Sequence, residues 1–271
     1  MVGVTAVADW QIETDADDAA AYAVLAADRA WNGYSIADLE PPFRQWTKVA
    51  LACRNGTAEA ACLFLRHPAF NAVVPTGDPD GLGAILEAVE LPAAADGLVR
   101  EPHRAAIERH YAVPEPRRMV RMAVDRAAFR PPTPNDAPAP VRRLGPADLA
   151  ALTELLAEDP EHIFHADQLA IGPFYGIDDP EGRLAAAAGI HVVAPGHRIA
   201  AVGNVHTRTD CRGRGYARAV TAAVVAGLLA TCDDVILNVA HANAPARRIY
   251  ERLGFRTHCE YWEGRLERRD A

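Results

Sequence analysis

The sequence contains no C-x-x-C pair, and its cysteines are few, scattered and odd in number. The five are Cys53, Cys62, Cys211, Cys232 and Cys259. Structural zinc sites and disulfide frameworks need closely spaced or paired cysteines, so this distribution argues against both. We therefore predict no metal, and we take the reducing cytoplasm as the default location.

Long apolar runs and an excess of positive charge are also missing. No apolar run reaches the length that spans a bilayer, and the N-terminus has no basic stretch followed by an apolar core. The formal net charge is -8, whereas the footprint of a nucleic-acid binder is basic. The sequence therefore predicts neither a membrane nor a nucleic acid as a partner.

The 271 residues are enough for one large domain or two modest ones with most of their apolar surface buried. Residues 131–140 carry a proline at half of their positions. Proline fixes φ and removes a backbone donor, so this stretch is expected to be an extended linker. We predict an N-terminal domain over residues 1–130 and a C-terminal domain over residues 141–271.

In the N-terminal half, a run of aspartates ahead of apolar residues predicts a capped helix within residues 14–31. A second helix is expected from Ser35 to the prolines at 41–42. Asn55-Gly56 is a strong hairpin signal between two β-like runs. The other expected elements are strands at 48–53, 60–65, 69–74, 98–100 and 119–124, and helices at 82–89 and 103–111.

In the C-terminal half, the expected strands are 141–144, 183–189, 190–193, 199–207, 235–239 and 257–262, and the expected helices are 147–157, 216–230 and 245–253. Residues 158–177 give no clear pattern. The fold class is α/β with a mixed sheet.

This half ends in the order β-α-β-α-β, and a similar order lies between Phe70 and Val124, which suggests an internal structural repeat. In the first copy the turn carries Asp78 and Asp80, which would repel a pyrophosphate, so that copy is interpreted as degenerate. An unrelated α/β layer is the alternative.

The stretch Thr207–Ala217 lies between a predicted strand and a predicted helix. Free backbone N–H groups and the helix dipole favour a phosphate at such a helix N-terminus. Glycines at 213 and 215 let the backbone approach a diphosphate, and Arg212 and Arg214 add positive charge. A nucleotide-phosphate loop is a weak alternative, since the stretch lacks G-K-[ST].

Two motifs carry a resemblance to a known family. Arg212-x-x-Gly215-x-Ala217 is similar to the R/Q-x-x-G-x-G/A signature of the GCN5-related N-acetyltransferases (GNAT). The segment from Asn243 through Tyr250 to Gly254-Phe255 resembles the N-x-x-A-x-x-x-Y-x-x-x-G-F segment of the same family. The resemblance covers roughly residues 141–271 and is closest to the subgroup of the glycine N-acyltransferase C-terminal domain (FR47-like). It implies a C-terminal GNAT fold, with the N-terminal domain as a degenerate GNAT-like repeat.

The resemblance implies an acyl-CoA-dependent N-acyltransferase that uses acetyl-CoA as the acyl donor and the primary amine of a small molecule or peptide as the acceptor. In the family two parallel strands splay apart, and the pantetheine arm lies between them. Tyr250 would be the general acid that protonates the leaving thiolate. The implied cofactor-binding residues are Val205, His206, Thr207, Arg212, Gly213, Arg214, Gly215, Tyr216, Ala217, Asn243 and Ala246.

Each of these roles has a structural alternative. Tyr250 lies on an amphipathic helix and could be a packing residue. Asn243 could simply cap that helix, and Gly254-Phe255 could be a helix stop followed by a core aromatic.

The general base is where the sequence departs from the family. Relatives carry a glutamate eleven residues before the motif arginine, and this chain has Ala201 there, with Gly203 next on the same face. His206 is expected to face the other side of the strand unless a β-bulge re-aims it. His191 and His197 lie on or near the neighbouring strand and are further candidates. A water relay, or an amine that arrives neutral, would need no base.

A second hypothesis follows from this departure: a non-catalytic acyl-CoA binder that acts as a sensor or scaffold. The sequence leaves a homodimer open as well.

Overall fold

The computed structural model describes residues 4–133, 139–159 and 164–269. The chain folds into two compact units. Unit 1 comprises the chain up to Val120, with Ala240–Ala242 and the chain from Cys259 onwards. Unit 2 comprises Arg121–Val239 and Asn243–His258. No helix in the described ranges combines the length and apolar character needed to cross a bilayer.

Strands and helices alternate in unit 1. Its strands are β1 (Val4–Val7), β2 (Trp10–Glu13), β3 (Thr47–Arg54), β4 (Thr57–His67), β5 (Phe70–Gly77), β6 (Ala94–Val99), β7 (Tyr111–Ala112) and the start of β8 (Arg117–Asp125). Its helices are α1 (Asp18–Leu25), α2 (Arg29–Ala37), α3 (Pro79–Ala88) and α4 (Glu101–His110).

The strands of unit 1 are ordered β1-β2-β3-β4-β5-β6. Neighbouring strands are antiparallel up to β5, and β5 and β6 are parallel, joined through α3. One apolar core includes Leu82 and Ile85 of α3 and Ile107 of α4, packed with side chains of the strands.

Unit 2 contains the end of β8 and the strands β9 (Arg142–Leu144), β10 (Phe174–Asp178), β11 (Leu184–Ala194), β12 (Ile199–Thr207) and β13 (Asp234–Ala240). Its helices are α5 (Leu149–Leu156), α6 (Ala166–Ile171), α7 (Tyr216–Leu228) and α8 (Ala244–Arg252). The last strand, β14 (Arg256–Arg268), begins in this unit.

The strand order in unit 2 is β8-β13-β12-β11-β10-β9. Strands β9 to β12 are antiparallel neighbours, and β12 and β13 are parallel, joined through α7. Unit 1 has the same sequence of antiparallel strands followed by a helix-linked parallel pair. Each half of the chain is therefore a mixed α/β sheet built on one plan, as the predicted repeat requires.

The division into two units differs from the predicted boundary at residues 131–140. Strand β8 ends in unit 2, before the linker, and β14 pairs with β6 of unit 1 from Trp262↔Val99 to Glu267↔Ala94. Residues 134–138 of the linker lie outside the described ranges. The extents 1–130 and 141–271 as separately folding domains therefore stay a prediction.

Local signals predicted several elements correctly. Asn55 and Gly56 have φ of 52° and 79° in the β3–β4 hairpin, where both central residues need positive φ. Helix α1 is capped by Asp17, whose side chain accepts from the N–H of Ala20. The predicted helices at 82–89, 103–111, 216–230 and 245–253 correspond to α3, α4, α7 and α8.

Other predictions were wrong at the level of element boundaries. The second helix begins at Arg29, not at Ser35, because Asp28 caps it by accepting from the N–H of Trp31. The strands predicted at 183–189 and 190–193 are one strand, β11. Gly189 does not break it: a Cβ there would lie 2.1 Å from a Phe174 ring atom, so this glycine makes room for an aromatic ring. Strands β1, β2 and β10 were not predicted.

Candidate functional site

Strands β12 and β13 separate before they end. Their parallel register runs from Ile199↔Asp234 to Val202↔Leu237, although β12 continues to Thr207. Within the described part of the chain, the two strands are not paired beyond that point. The β13-facing backbone of residues 203–207 is therefore available to a ligand that lies between the strands.

A β-bulge interrupts β12 inside this open segment. Asn204 has a φ of 52°, and its side-chain Nδ2 donates to the backbone oxygen of Ile190 (2.9 Å) and to Oε1 of Gln168 (3.2 Å). The register with β11 shifts across it, from Gly203↔Gly189 to His206↔Ala187. The strand therefore holds one extra residue at this point.

The bulge decides which way His206 points. Residues directly opposite each other in a ladder share a face, and Ala187 and Gly189 are two apart on β11, so they share a face too. His206 therefore lies on the same face of β12 as Gly203. Regular alternation along the strand predicted His206 on the opposite face unless a β-bulge intervened, and the structure contains that bulge.

An ion-pair network with one buried member, Asp179, anchors the chain after β12. Nη2 of Arg208 lies 2.8 Å from Oδ2 of the buried Asp179, and its Nε lies 2.6 Å from Oδ1 of Asp210. Burial alone would raise the pKa of Asp179, but hydrogen bonds from the Arg183 N–H and the Arg208 guanidinium lower it to about 2. The guanidinium of Arg208 is thus paired with two carboxylates and stabilises the loop that follows β12.

The two motif arginines are in a different situation. Arg212 and Arg214 are exposed, and their guanidinium groups donate only to backbone oxygens, those of Thr207 (3.2 Å) and Asp210 (3.3 Å). Neither has a carboxylate partner among the described residues. Their positive charge is therefore available to an anion from solvent.

The N-terminus of α7 is left open by the residues before it. Gly213 and Gly215 have φ of 77° and 82°, and the N-cap Gly215 has no side chain to occupy the helix end. The first helical bond runs from the Ala219 N–H to the Gly215 oxygen (3.2 Å), so the N–H groups of Tyr216, Ala217 and the next residue have no intrahelical acceptor. Tyr216 itself is buried and Ala217 is half-buried.

The corresponding helix end of unit 1 is closed. Asp78 caps α3, and its Oδ1 accepts from the N–H groups of Asp80 (2.9 Å) and Gly81 (3.0 Å). A carboxylate already fills the place where a phosphate would lie, and its charge repels one. This agrees with the interpretation of the first copy as degenerate.

Asn243 caps α8, which was the alternative to its implied role as a cofactor ligand. Its Oδ1 accepts from the N–H of Ala246 (3.1 Å) at the start of the helix. Asn243 is exposed and Ala246 is half-buried. The cap uses one lone pair of Oδ1, and the side-chain amide N–H groups of Asn243 remain able to donate to a ligand.

Tyr250 is both packed and titratable. Its ring is buried and meets Phe255 edge-on, with the ring centroids 6.0 Å apart. Burial raises the pKa of Tyr250 to about 12. Packing and an acid role are compatible, because a buried phenol keeps its proton at neutral pH. The helix stop at Gly254 is also real: its φ is 96°, and a Cβ there would lie 2.0 Å from the Ala128 oxygen.

Ala201, at the position of the family glutamate, and Gly203, next on the same face, are both buried. Ala201 is fully buried, and a Cβ on Gly203 would lie 2.1 Å from Cδ2 of His191. His197 lies in the turn between β11 and β12, at the opposite end of β12 from Thr207. It is too far from the open segment to act there.

His206 has an acidic partner that sequence reasoning missed. Its Nε2 lies 3.2 Å from Oε2 of Glu158, just beyond the end of α5. Asn204, which creates the bulge, was also missed. An asparagine inside an apolar strand is a weak bulge signal, but nothing in the sequence points to Glu158, which is 48 positions away. His162, in the region that gave no clear pattern, lies outside the described residues.

Among the described residues, no group of three or more His, Cys, Asp or Glu side chains is arranged to hold a metal ion. The open helix end and the two exposed arginines offer backbone N–H groups and positive charge to an anion. Besides the open helix end, Oγ1 of Thr207 is buried and has no hydrogen-bond partner within the described ranges.

Comparisons with solved structures agree with this architecture. A GCN5-related N-acetyltransferase from Sphaerobacter thermophilus matches with a TM-score of 0.62 and 18% identity, over 98% of each chain. A Drosophila protein matches with a TM-score of 0.70 and 14% identity, over 96% of this chain and 98% of its own. A tandem GNAT protein from the clavulanic acid biosynthesis pathway matches with a TM-score of 0.54 and 13% identity, over 93% and 94%.

These similarities extend over nearly the whole chain, so the protein has the fold of the GNAT proteins. Within it, residues 181–263 match the family model of FR47-like proteins, which is the subgroup that the motifs indicated. No curated protein matches the chain in sequence.

Proposed function

We propose that the protein is an acyl-CoA-dependent N-acyltransferase that transfers acetyl from acetyl-CoA to a primary amine of a small molecule or peptide. The observation that carries the proposal is the open N-terminus of α7. It follows the unpaired segment of β12 after the loop of residues 208–215, which carries two arginines without a carboxylate partner among the described residues. An anion at one end of an extended groove is the geometry that a CoA thioester needs.

In this proposal the loop binds the diphosphate. The free N–H groups at Tyr216 and Ala217 donate to phosphate oxygens, and Gly213 and Gly215 let the backbone come close. Arg212 and Arg214 supply charge from the exposed side. Asn243 and Ala246, at the start of α8, border the donor.

The unpaired segment of β12 holds the pantetheine arm. Backbone groups of Val205 and Thr207, which β13 leaves unpaired, form hydrogen bonds to its amides, and Oγ1 of Thr207 is available as a further partner. Fixing the arm in this way orients the thioester carbonyl toward the acceptor amine.

The chemistry is a direct attack of the amine on the thioester. Strand N–H groups stabilise the oxyanion, and Tyr250 donates its hydroxyl proton to the departing thiolate. Because the pKa of Tyr250 is raised to about 12, the phenol is fully protonated at neutral pH and can act as an acid.

Release of free CoA thiol tests the activity. Acetyl-CoA is incubated with the protein and a panel of amines, which includes amino acids, polyamines, amino sugars and peptides with a free N-terminus. At least one amine should accelerate thiol release above the rate of acetyl-CoA hydrolysis, with the acetylated amine seen by mass spectrometry. Tight binding of acetyl-CoA without turnover by any amine would contradict an enzymatic role.

The second candidate is a non-catalytic acyl-CoA binder. It is favoured by Ala201, a fully buried alanine at the position where relatives carry a glutamate. Both candidates predict acetyl-CoA binding, so calorimetry alone does not separate them. Thiol release does.

A further inference from the structure

The open segment of β12 carries the imidazole of His206. The family resemblance implies a cofactor-binding role for this residue and assigns it no role as a base. The bulge at Asn204 turns His206 to the face of Gly203, and Ala201 lies two residues before Gly203 on that same face. This is the face from which a family glutamate would act. His206 therefore lies on the face of β12 that carries Ala201 and Gly203.

His206 is paired rather than isolated. Its Nε2 lies 3.2 Å from Oε2 of Glu158, and the side chains of His206 and Glu158 are 6% and 35% exposed. A neutral imidazole that donates from Nε2 has its basic lone pair on Nδ1. The carboxylate fixes that tautomer and stabilises the imidazolium that forms when Nδ1 accepts a proton.

Two further residues within the described ranges lie beside this part of β12. From β11, His191 packs its ring over Gly203. From α6, Gln168 donates to the backbone oxygen of His191 (3.0 Å) and is neutral. Glu158, from the end of α5, is thus the charged group shown to contact His206.

We propose that His206 is the general base of the transfer reaction and that Glu158 positions it and carries its proton to solvent. The inference depends on the proposed function, since it concerns the same site. It replaces the family carboxylate at Ala201 with an imidazole five residues further along β12, which the bulge brings to the same face.

The proton balance closes with these residues. Nδ1 of His206 takes one proton from the acceptor ammonium, and the neutral amine then forms the new C–N bond of a tetrahedral intermediate, whose collapse breaks the C–S bond. Tyr250 gives its proton to the thiolate sulfur and recovers one from the nitrogen of the tetrahedral intermediate. The proton on the imidazolium leaves through Glu158, whose half-buried carboxylate reaches water. The net products are the amide, CoA thiol and one proton.

The test compares three single variants of the full chain, His206→Gln, Glu158→Gln and His191→Gln, with His197→Gln as a control from the far end of β12. We expect His206→Gln to lower kcat/KM about 10²-fold or more at neutral pH, the usual contribution of a general base. Without a base in the site, the His206→Gln variant can use only amine that is already neutral in solution. Its activity should therefore rise with pH up to the pKa of the free acceptor amine. Glu158→Gln should lose less, about 10-fold, and His197→Gln nearly nothing.

Two measurements separate a catalytic role from a structural one. The acetyl-CoA Kd of His206→Gln, measured by calorimetry, should stay within about threefold of wild type. In NMR, Glu158→Gln should change the ¹⁵N signals of the His206 ring, since the carboxylate that holds the proton on Nε2 is removed.

The outcomes distinguish the two proposals. If wild type releases thiol with an amine and His206→Gln keeps its rate and pH profile, His206 is not the base. If His191→Gln instead shows the large loss, the base is His191. If wild type releases no thiol with any amine, the proposed function itself fails. If His206→Gln does not fold by circular dichroism, Glu158→Gln decides: an unchanged kcat/KM and unchanged His206 ring ¹⁵N signals in that variant overturn the proposal.

Discussion

Asp78 and Gly215 occupy equivalent positions, each at the N-cap of the helix that joins a parallel strand pair, and they leave those helix ends in opposite states. The Asp78 carboxylate accepts from two N–H groups at the start of α3. Gly215 leaves the N-terminus of α7 open. One repeat is thereby closed to phosphate, while the other is available to it.

The first prediction concerns this difference. Gly215→Asp should raise the Kd for CoA by tenfold or more, because a carboxylate would fill the helix end and repel the diphosphate. The φ of 82° at Gly215 adds backbone strain to any side chain there. Gly56→Asp is the matched control, since Gly56 has a φ of 79° and open space around a Cβ. Equal CoA affinity of the Gly215→Asp variant and wild type would rule out the α7 site.

The second prediction concerns the two exposed arginines. The double variant Arg212→Gln/Arg214→Gln should bind CoA about tenfold more weakly, and its affinity should depend less steeply on salt than that of wild type. Arg198→Gln serves as the control, because Arg198 is already paired with Asp233 at the other end of β12. Calorimetry from low to moderate salt measures both effects. Parallel salt dependences would mean that these arginines do not contact phosphate.

The third prediction concerns Tyr250. Tyr250→Phe should lower kcat by about 10²-fold while the Kd for CoA hardly changes, because only the proton donor is removed and the ring packing stays. With a pKa of about 12, Tyr250 should add no alkaline limb to the pH profile below about pH 11. A kcat equal to that of wild type would assign Tyr250 to packing alone.

The fourth prediction concerns a buried carboxyl in unit 1. Burial raises the pKa of Asp38 from 3.8 to about 7. The contribution of protonated Asp38 to the free energy of unfolding is complete below about pH 4. It falls as the pH rises and is lost above about pH 7. Asp38→Asn should therefore be more stable than wild type at pH 8 by roughly 2–4 kcal/mol, at about 1.4 kcal/mol per pKa unit.

At pH 4 the two proteins should differ little, because wild-type Asp38 is then neutral in the folded protein. Urea unfolding at both pH values measures the difference, with exposed Asp18→Asn as the control. If the difference in free energy of unfolding between Asp38→Asn and wild type does not grow from pH 4 to pH 8, the pKa of the Asp38 carboxyl is not raised.

Local sequence signals identified the parts of the fold and site that depend on neighbours along the chain. Asn55-Gly56 predicted its turn because positive φ is an intrinsic preference of those residues. The glycines at 213 and 215 and the helix that follows them predicted the open N-terminus of α7 for the same local reason. The motif with Asn243 predicted α8, with a cap that the structure contains.

Long-range pairing accounts for what was missed. Strand β1 pairs only with β2 in the described structure, and β10 is recognisable only beside β9 and β11. The end of β14 lies in unit 1 because it pairs with β6, more than 150 residues earlier. No local pattern encodes such partners.

The sequence by itself determined the repeated α/β plan, the Gly/Arg loop, the α8 cap and the absence of a carboxylate at Ala201, because these depend on residue type and spacing. Only the tertiary structure decided where His206 points and what it meets. The left-handed conformation of Asn204 accompanies side-chain hydrogen bonds to Ile190 and Gln168, and the partner of His206 comes from a different helix. A one-residue bulge reverses the face of the residues that follow it, and contacts between distant parts of the chain hold it in place.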